Sequence, residues 1–201
     1  MRDVSVSNST WGNRELRVFA PNAGVHATGG GIGQGMPMAI GAAVGAQATA
    51  SDRKTLCLAG DGGFILNLGE LATLVQERCD CLIVLMNDKG YGVIKNIQDA
   101  QYGGRRAYVE LHTPDYAQLC ASLALPHARV SNLADLPGQL AGAVQARGPL
   151  MLQLALLSIR IVNNNIDMLS IGSFKPTFAG PPVNKLNQIP ALDPSVASSA
   201  A

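Results

Sequence analysis

Charge is scarce in this 201-residue chain: 14% of its residues are Asp, Glu, Lys or Arg, and the formal net charge is +1. Without a basic surplus there is no electrostatic footprint for a phosphate backbone, so no nucleic-acid partner is expected. Long apolar spans are missing too. The Gly- and Ala-rich stretch from Gly33 to Ala50 is too short for a bilayer crossing and is broken by glycines and Pro37. The N-terminus lacks the charged and apolar pattern of a signal peptide. The cysteines, Cys57, Cys79, Cys81 and Cys120, contain no CxxC pair, which removes the usual zinc reading. Free cysteines of this kind are commonly small buried hydrophobes, and a reducing cytoplasm is the expected compartment. The histidines are equally uninformative. His26 precedes a glycine-rich turn and is as readily structural as near a ligand, while His112 and His127 read as loop or surface residues. No internal repeat is present, and the length suits one domain with a good core.

What the chain does have is a pair of polar clusters, each behind an apolar run. Leu56-Cys57-Leu58-Ala59 leads into Gly60-Asp61-Gly62-Gly63, and Leu85-Met86 leads into Asn87-Asp88-Lys89-Gly90-Tyr91-Gly92. Short apolar runs of this type read as buried parallel strands, so both clusters fall at strand carboxyl ends, where open α/β sheets bind ligands. Between them, Ile65 to Arg78 carries Leu66, Leu68, Leu71, Leu74 and Val75 at roughly helical spacing, which predicts the crossover helix of a βαβ unit. The expected fold is therefore α/β, a parallel sheet with helices on both faces.

That geometry predicts a hard-cation site beside an anion site. Asp61 and Asp88 converge from neighbouring strand ends, and a loop carbonyl can add a third oxygen. Mg²⁺ suits such a site, because it takes one or two carboxylates and completes its octahedron with phosphate oxygens and water. Gly60, Gly62 and Gly63 let backbone amides approach an anion, at the start of the following helix. Asp61 as a solvated turn residue and Asp88 as an ordinary turn former are the plainer alternatives. Neither explains two carboxylates at strand ends one crossover apart.

At these residues the chain resembles the diphosphate-binding domain of thiamine diphosphate enzymes, of the acetolactate synthase and benzoylformate decarboxylase kind. The resemblance runs from about Val4 to Leu156 and rests on GDG followed some two dozen residues later by Asn87-Asp88, where the family usually has NN. It implies that Asp61, Asp88 and the carbonyl of Gly90 hold Mg²⁺, and that Gly62, Gly63, Tyr91 and Gly92 lie along the diphosphate. The extra charge of Asp88 should tighten cation binding and weaken direct phosphate contact, leaving the metal to mediate. Gly29-Gly30-Gly31-Ile32-Gly33-Gln34-Gly35-Met36-Pro37 resembles the family's glycine-rich turn. Ile32 then matches the residue that wedges between the two cofactor rings, and the carbonyl of Gly30 accepts from the aminopyrimidine. Asn8-Ser9-Thr10 matches a strand-end loop that donates hydroxyls to the diphosphate.

The same resemblance exposes a shortage. In relatives an activating glutamate comes from a separate pyrimidine-binding domain, usually of another subunit. Glu70, Glu77 and Glu110 match no such motif. The chain is thus expected to need a pyrimidine-binding domain or subunit, to form homo- or hetero-oligomers, and not to turn over alone. Thiamine diphosphate supplies the electron sink for the chemistry. After the metal loop, Tyr91 to Gln98 should form a helix with Val93 and Ile97, four apart, lining the substrate pocket or merely packing in the core. Acetohydroxyacid synthases generally place Trp at the position of Ile97, which counts against that activity, but benzoylformate-type decarboxylases carry an aromatic there too, so Ile97 does not decide between them.

The expected role is a thiamine diphosphate- and Mg²⁺-binding domain, with no catalytic residue of its own, for a decarboxylase or acetolactate synthase-like carboligase acting on a small 2-oxo acid. The cofactor subunit of a 2-oxo acid oxidoreductase and a non-catalytic interaction domain that retains the fold are the alternatives. A dinucleotide site is disfavoured, because the glycine turn lacks an acidic residue at the ribose-contact distance. Downstream, Asp115 to Leu123 and Leu133 to Ala146 read as helices, and His127 to Val130 and Pro149 to Leu156 as strands. The domain is expected to span residues 1–160. A Pro-, Asn-, Ser- and Ala-rich tail over 161–201, with Asn163-Asn164-Asn165 and Pro176 to Pro194, is expected to be extended or disordered.

Overall fold

Four parallel strands are built from the apolar runs: β1 Thr55–Gly60, β2 Cys81–Asn87, β3 His127–Val130 and β4 Leu150–Ala155, in the order β1-β2-β4-β3. The computed structural model describes residues 1–5, 16–21, 23–27 and 29–155. Every residue of β2 is buried, as a central parallel strand requires. Its neighbours are fixed in register, with Gly60 opposite Met86 and Asn87 opposite Ala155.

Strand alternation sends side chains to two cores. On one face Cys57, Ala59, Cys81, Ile83, Leu85 and Met151 pack with α1 (Gly35–Ala48), α3 (Glu70–Gln76) and α5 (Tyr116–Ser122). On the other, Leu58, Leu82, Val84 and Leu152 pack with α6 (Leu136–Gln145). Helices thus cover both faces, as the sequence predicts. In α1, Met36, Ala39, Ile40 and Ala43 are buried at helical spacing, and small residues bring the helix close to the sheet. All four cysteines are free and buried within this packing.

The crossover between β1 and β2 is not the single helix expected over Ile65 to Arg78. It comprises α2 (Asp61–Phe64), a 3₁₀ turn at Ile65–Asn67, and α3. The cause is local: Asn67 turns its side-chain amide onto the Gly33 carbonyl, 2.7 Å away, and Gly69 restarts the helix at its N-cap. Leu71 and Leu74 are buried and Leu68 and Val75 pack against them, whereas Leu66 is left exposed. The helix expected from Leu133 likewise opens as a 3₁₀ turn, capped by Asn132, before α6. Asp115 is outside α5 as its N-cap, accepting from the Ala117 and Gln118 amides.

Two features had no signal in the sequence. Residues 1–3 run along the free edge of β1, with Leu58 N donating to Met1 O and Asp3 N donating to Leu58 O, both at 2.9 Å. Residues 25–27 pair in turn with Arg2, which places exposed His26 in a backbone bridge. His127 corrects its surface assignment: it is half-buried in β3, with Nε2 3.1 Å from Gln153 Oε1. Ser9 and Thr10, the boundary near residue 160 and the tail lie outside the described residues. Among the described residues no helix is long and apolar enough to cross a membrane.

Candidate functional site

The carboxyl ends of β1 and β2 bring the two polar clusters together. Asp61 follows the last residue of β1 and opens α2, with Gly60 as N-cap. It is only 1% exposed. Its Oδ1 accepts from the Gly62 amide at 2.8 Å, while Oδ2 has no hydrogen-bond partner. Burial, then the charge of Asp88, pushes the Asp61 carboxyl up to about 7. Burial raises Asp88 as well, against opposing hydrogen bonds and the charge of Lys95. Two carboxylates that approach in this way cannot both ionise cheaply without a cation between them. The hydroxyl of Tyr116, whose ring packs edge-on against Phe64 at 5.8 Å, is also buried without a partner.

The loop after β2 is shaped by its own residues. Asn87 is buried and its Oδ1 accepts from the Lys89 amide at 3.2 Å. Lys89 has φ +53, a left-handed residue that turns the loop. The loop is then stitched to the segment before α5: Tyr91 N donates to Val109 O, and Leu111 N donates to Lys89 O. Tyr91 is the N-cap residue of α4 (Gly92–Tyr102), and its ring covers Gly62, where a Cβ would come within 2.7 Å of Cε1. So the residue that follows this loop closes over the GDG turn.

The glycine-rich turn reaches the same place through Asp3, a residue the sequence pattern does not single out. Asp3 is buried, and both carboxylate oxygens accept from the Gly33 amide, at 3.0 and 2.9 Å. A Cβ at Gly63 would lie 2.6 Å from Asp3 Oδ2, and one at Gly35 would lie 2.7 Å from Asp3 Cβ. Gly33 has φ +92 and its carbonyl is held by Asn67, so both of its peptide groups are fixed by side chains from other segments. Ser5, next along, packs against Gly60. The only clue in the sequence was an acidic residue close to an apolar segment, which is too common to mark a site.

Placed on this frame, Gly60, Asp61, Gly62, Gly63, Asp88, Gly90, Tyr91 and Gly92 gather around the two strand ends. Gly30 and Gly31 are exposed on the turn, and Ile32 is 37% exposed, so it stands proud of the core. Val93 and Ile97 are 39% and 42% exposed and α4 has no buried residue, which excludes the reading of them as merely core. Among the described residues no three His, Cys, Asp or Glu side chains cluster. The donor set is two carboxylates plus backbone oxygen. The unpartnered Asp61 oxygen fits a hard divalent cation that draws its remaining ligands from an anionic guest.

A cavity of about 530 Å³ between α6 and β4, lined by Gly138, Gly142, Leu150 and Leu152 among others, includes none of these groups. The fold and the strand-end pair define a ligand-binding α/β domain. Residues 5–154 match the family model of the thiamine pyrophosphate enzyme C-terminal TPP binding domain, and the chain belongs to that family. It is 33% identical over 125 residues to the acetolactate synthase large subunit of Cyanidium caldarium, covering 61% of this chain and 21% of that protein. It is 33% identical over 138 residues to the acetolactate synthase isozyme 1 large subunit of Escherichia coli (strain K12), covering 67% and 23%. The crystal structure of benzoylformate decarboxylase from Polynucleobacter necessarius superposes with TM-score 0.68 at 20% identity, covering 76% of this chain and 29% of that one, a likeness of fold. The chain spans about a quarter of the length of these relatives.

Proposed function

We propose that this domain, residues 1–160, binds thiamine diphosphate through Mg²⁺ and serves a decarboxylase or acetolactate synthase-like carboligase of 2-oxo acids. One observation carries the reading: a buried Asp61 oxygen without a donor, facing a second carboxylate, beside a glycine-rich turn locked to it through Asp3 and Gly33. Asp61, Asp88 and the Gly90 carbonyl would hold the metal. Gly60, Gly62, Gly63, Tyr91 and Gly92 would flank the diphosphate, joined by Ser9 and Thr10. Gly30, Gly31 and Ile32 would meet the cofactor rings. When bound, the cofactor supplies the electron sink for cleaving or forming a bond beside the 2-oxo carbon.

The chain's own residues bind and orient. Tyr91 and Asn87 fix the loop that presents Asp88, and Asp3 fixes the turn that presents Ile32. Val93 and Ile97 would line the substrate pocket. A pyrimidine-binding domain or subunit would supply the activating glutamate, in a homo- or hetero-oligomer, and the exposed Ile32 and Leu66 offer it apolar surface. A cytoplasmic setting agrees with four free thiols.

The test is calorimetric titration of the chain with thiamine diphosphate, with and without Mg²⁺. Saturable binding that requires the metal is expected, and absence of binding in both arms overturns the reading. Turnover of a 2-oxo acid is expected only after a pyrimidine-domain partner is added. Binding without turnover in any pairing would point instead to a retained, non-catalytic domain.

A further inference from the structure

The Asn87-Asp88 pair places a second formal negative charge in a loop that must accept an anionic diphosphate. Something has to offset it. Lys95 is two residues beyond Val93 on α4, so it projects from the side of the helix opposite the exposed Val93 and Ile97. Its side chain is only 17% exposed and lies against Gly90: a Cβ there would meet the ammonium and come within 2.6 Å of Lys95 Cε. Glu110, which pairs with Gly90 as an isolated bridge, holds the Lys95 ammonium at 3.0 Å. Because Glu110 is well exposed, its own charge is screened by water and it acts mainly as a tether.

We propose that Lys95 is a positioning residue for the cofactor site, a built-in counter-charge that offsets Asp88 and thereby keeps the metal loop able to accept a diphosphate. The inference rests on the metal and diphosphate reading above. With Asn in place of Asp88, one carboxylate and a divalent cation would face the guest with a net positive charge. Asp88 cancels that charge, and the Lys95 ammonium restores it. Gly90, against which the Lys95 side chain packs, is two residues beyond Asp88, so the ammonium lies beside the same loop. Placement on the loop side of α4, rather than the Val93 and Ile97 side, assigns this charge to the diphosphate end of the cofactor and not to the substrate.

The test is a double-mutant cycle of the full chain: the unmodified protein, Lys95→Met, Asp88→Asn and the double variant. Methionine keeps an unbranched apolar stem, so the packing of α4 is retained. Calorimetry with Mg²⁺ and thiamine diphosphate should show Lys95→Met weakening cofactor affinity roughly tenfold when Asp88 is present and far less in the Asp88→Asn background. Equal losses in both backgrounds would overturn the proposal. A parallel urea-unfolding cycle without ligand reads the same pairing independently of binding. Coupling there that fades in high salt supports the charge pairing, and additivity overturns it. If the unmodified chain bound no cofactor while the unfolding cycle showed coupling, the functional reading would fail and the Lys95–Asp88 pairing would stand.

Discussion

At the amino ends of the strands, Asp80 is surrounded by donors. Lys54, just before β1, pairs with it; Arg147 Nη1 and the Gly148 amide reach it at 3.0 and 3.1 Å from the segment before β4. At the carboxyl ends of the same strands, Asp61 faces Asp88 and keeps an oxygen with no donor at all. Desolvation acts on Asp80 too, but hydrogen bonds from Lys54 and Arg147 outweigh it and hold its carboxyl below the usual range. For Asp61, burial and a like charge act together and push it up. The sheet therefore has one end where Asp80 is satisfied by the chain and one where Asp61 keeps an oxygen that the chain does not satisfy. A carboxylate that serves stability is paired by the protein; one that serves a ligand is left short, and the fold tolerates the cost.

The largest break in this contrast should come from Asp61→Ala, which is expected to abolish Mg²⁺-dependent cofactor binding while the chain stays folded. Calorimetry and circular dichroism together check it, and unchanged affinity would end the metal assignment. At the other end, Asp80→Ala should cost about 1–3 kcal/mol of stability, by removing the carboxylate that accepts from Lys54, Arg147 and the Gly148 amide, and leave cofactor affinity alone. Urea unfolding measures the first half and calorimetry the second; a loss of binding would show that the two ends are not independent.

Asked of the cofactor's shape, the same site gives an intermediate effect. Ile32→Gly should lose roughly tenfold in thiamine diphosphate affinity, from removed ring contact, with little change for Mg²⁺-pyrophosphate. Equal losses for both would reduce Ile32 to packing.

Acidity separates the two ends by sign. Asp61 has a folded pKa of about 7, above that of an unfolded Asp, so the folded state holds the extra proton between roughly pH 4 and 7. Its contribution to metal-free stability is therefore favourable in acid and is lost as pH rises through about 7. Asp80, held low, contributes above the unfolded value and loses that contribution as pH falls through its folded pKa. Urea midpoints without metal at about pH 5.5 and about pH 8 should show Asp61→Asn stabilising the protein at the higher pH and much less at the lower. An identical shift at both would mean that Asp61 is not the titrating group. The smallest effect belongs to Asp88→Asn, which keeps an oxygen ligand and should leave Mg²⁺-dependent affinity within about threefold. A large loss would give the Asp88 charge a role beyond its offset by Lys95.

Much of the architecture was legible in the chain itself. The apolar runs before Asp61 and Asp88 are strands because a strand buried on both faces must be apolar throughout, and their polar ends must then emerge at one edge of the sheet. Asp61 and Asp88 could therefore be named as neighbours from the order of residues, while Tyr91 and the glycine turn were added by the family resemblance. Less legible was the crossover: helical spacing from Leu66 to Val75 is real, but Asn67 and Gly33 exchange a hydrogen bond that interrupts it. Leu66, counted in that spacing, is left exposed for that reason, and His127 was misassigned to the surface because its partner, Gln153, is 26 residues away.

The sequence by itself determined the class of fold, the two strand-end carboxylates and the family, since these depend on local periodicity and on the order of short motifs. Only the tertiary structure decided how those motifs hold one another. Asp3 clamps Gly33, Tyr91 closes over Gly62, and Lys95 turns toward Gly90 rather than outward with Val93. Each contact joins residues that local patterning does not connect in this way. Whether such residues meet depends on chain reversal and close packing, which no local period encodes.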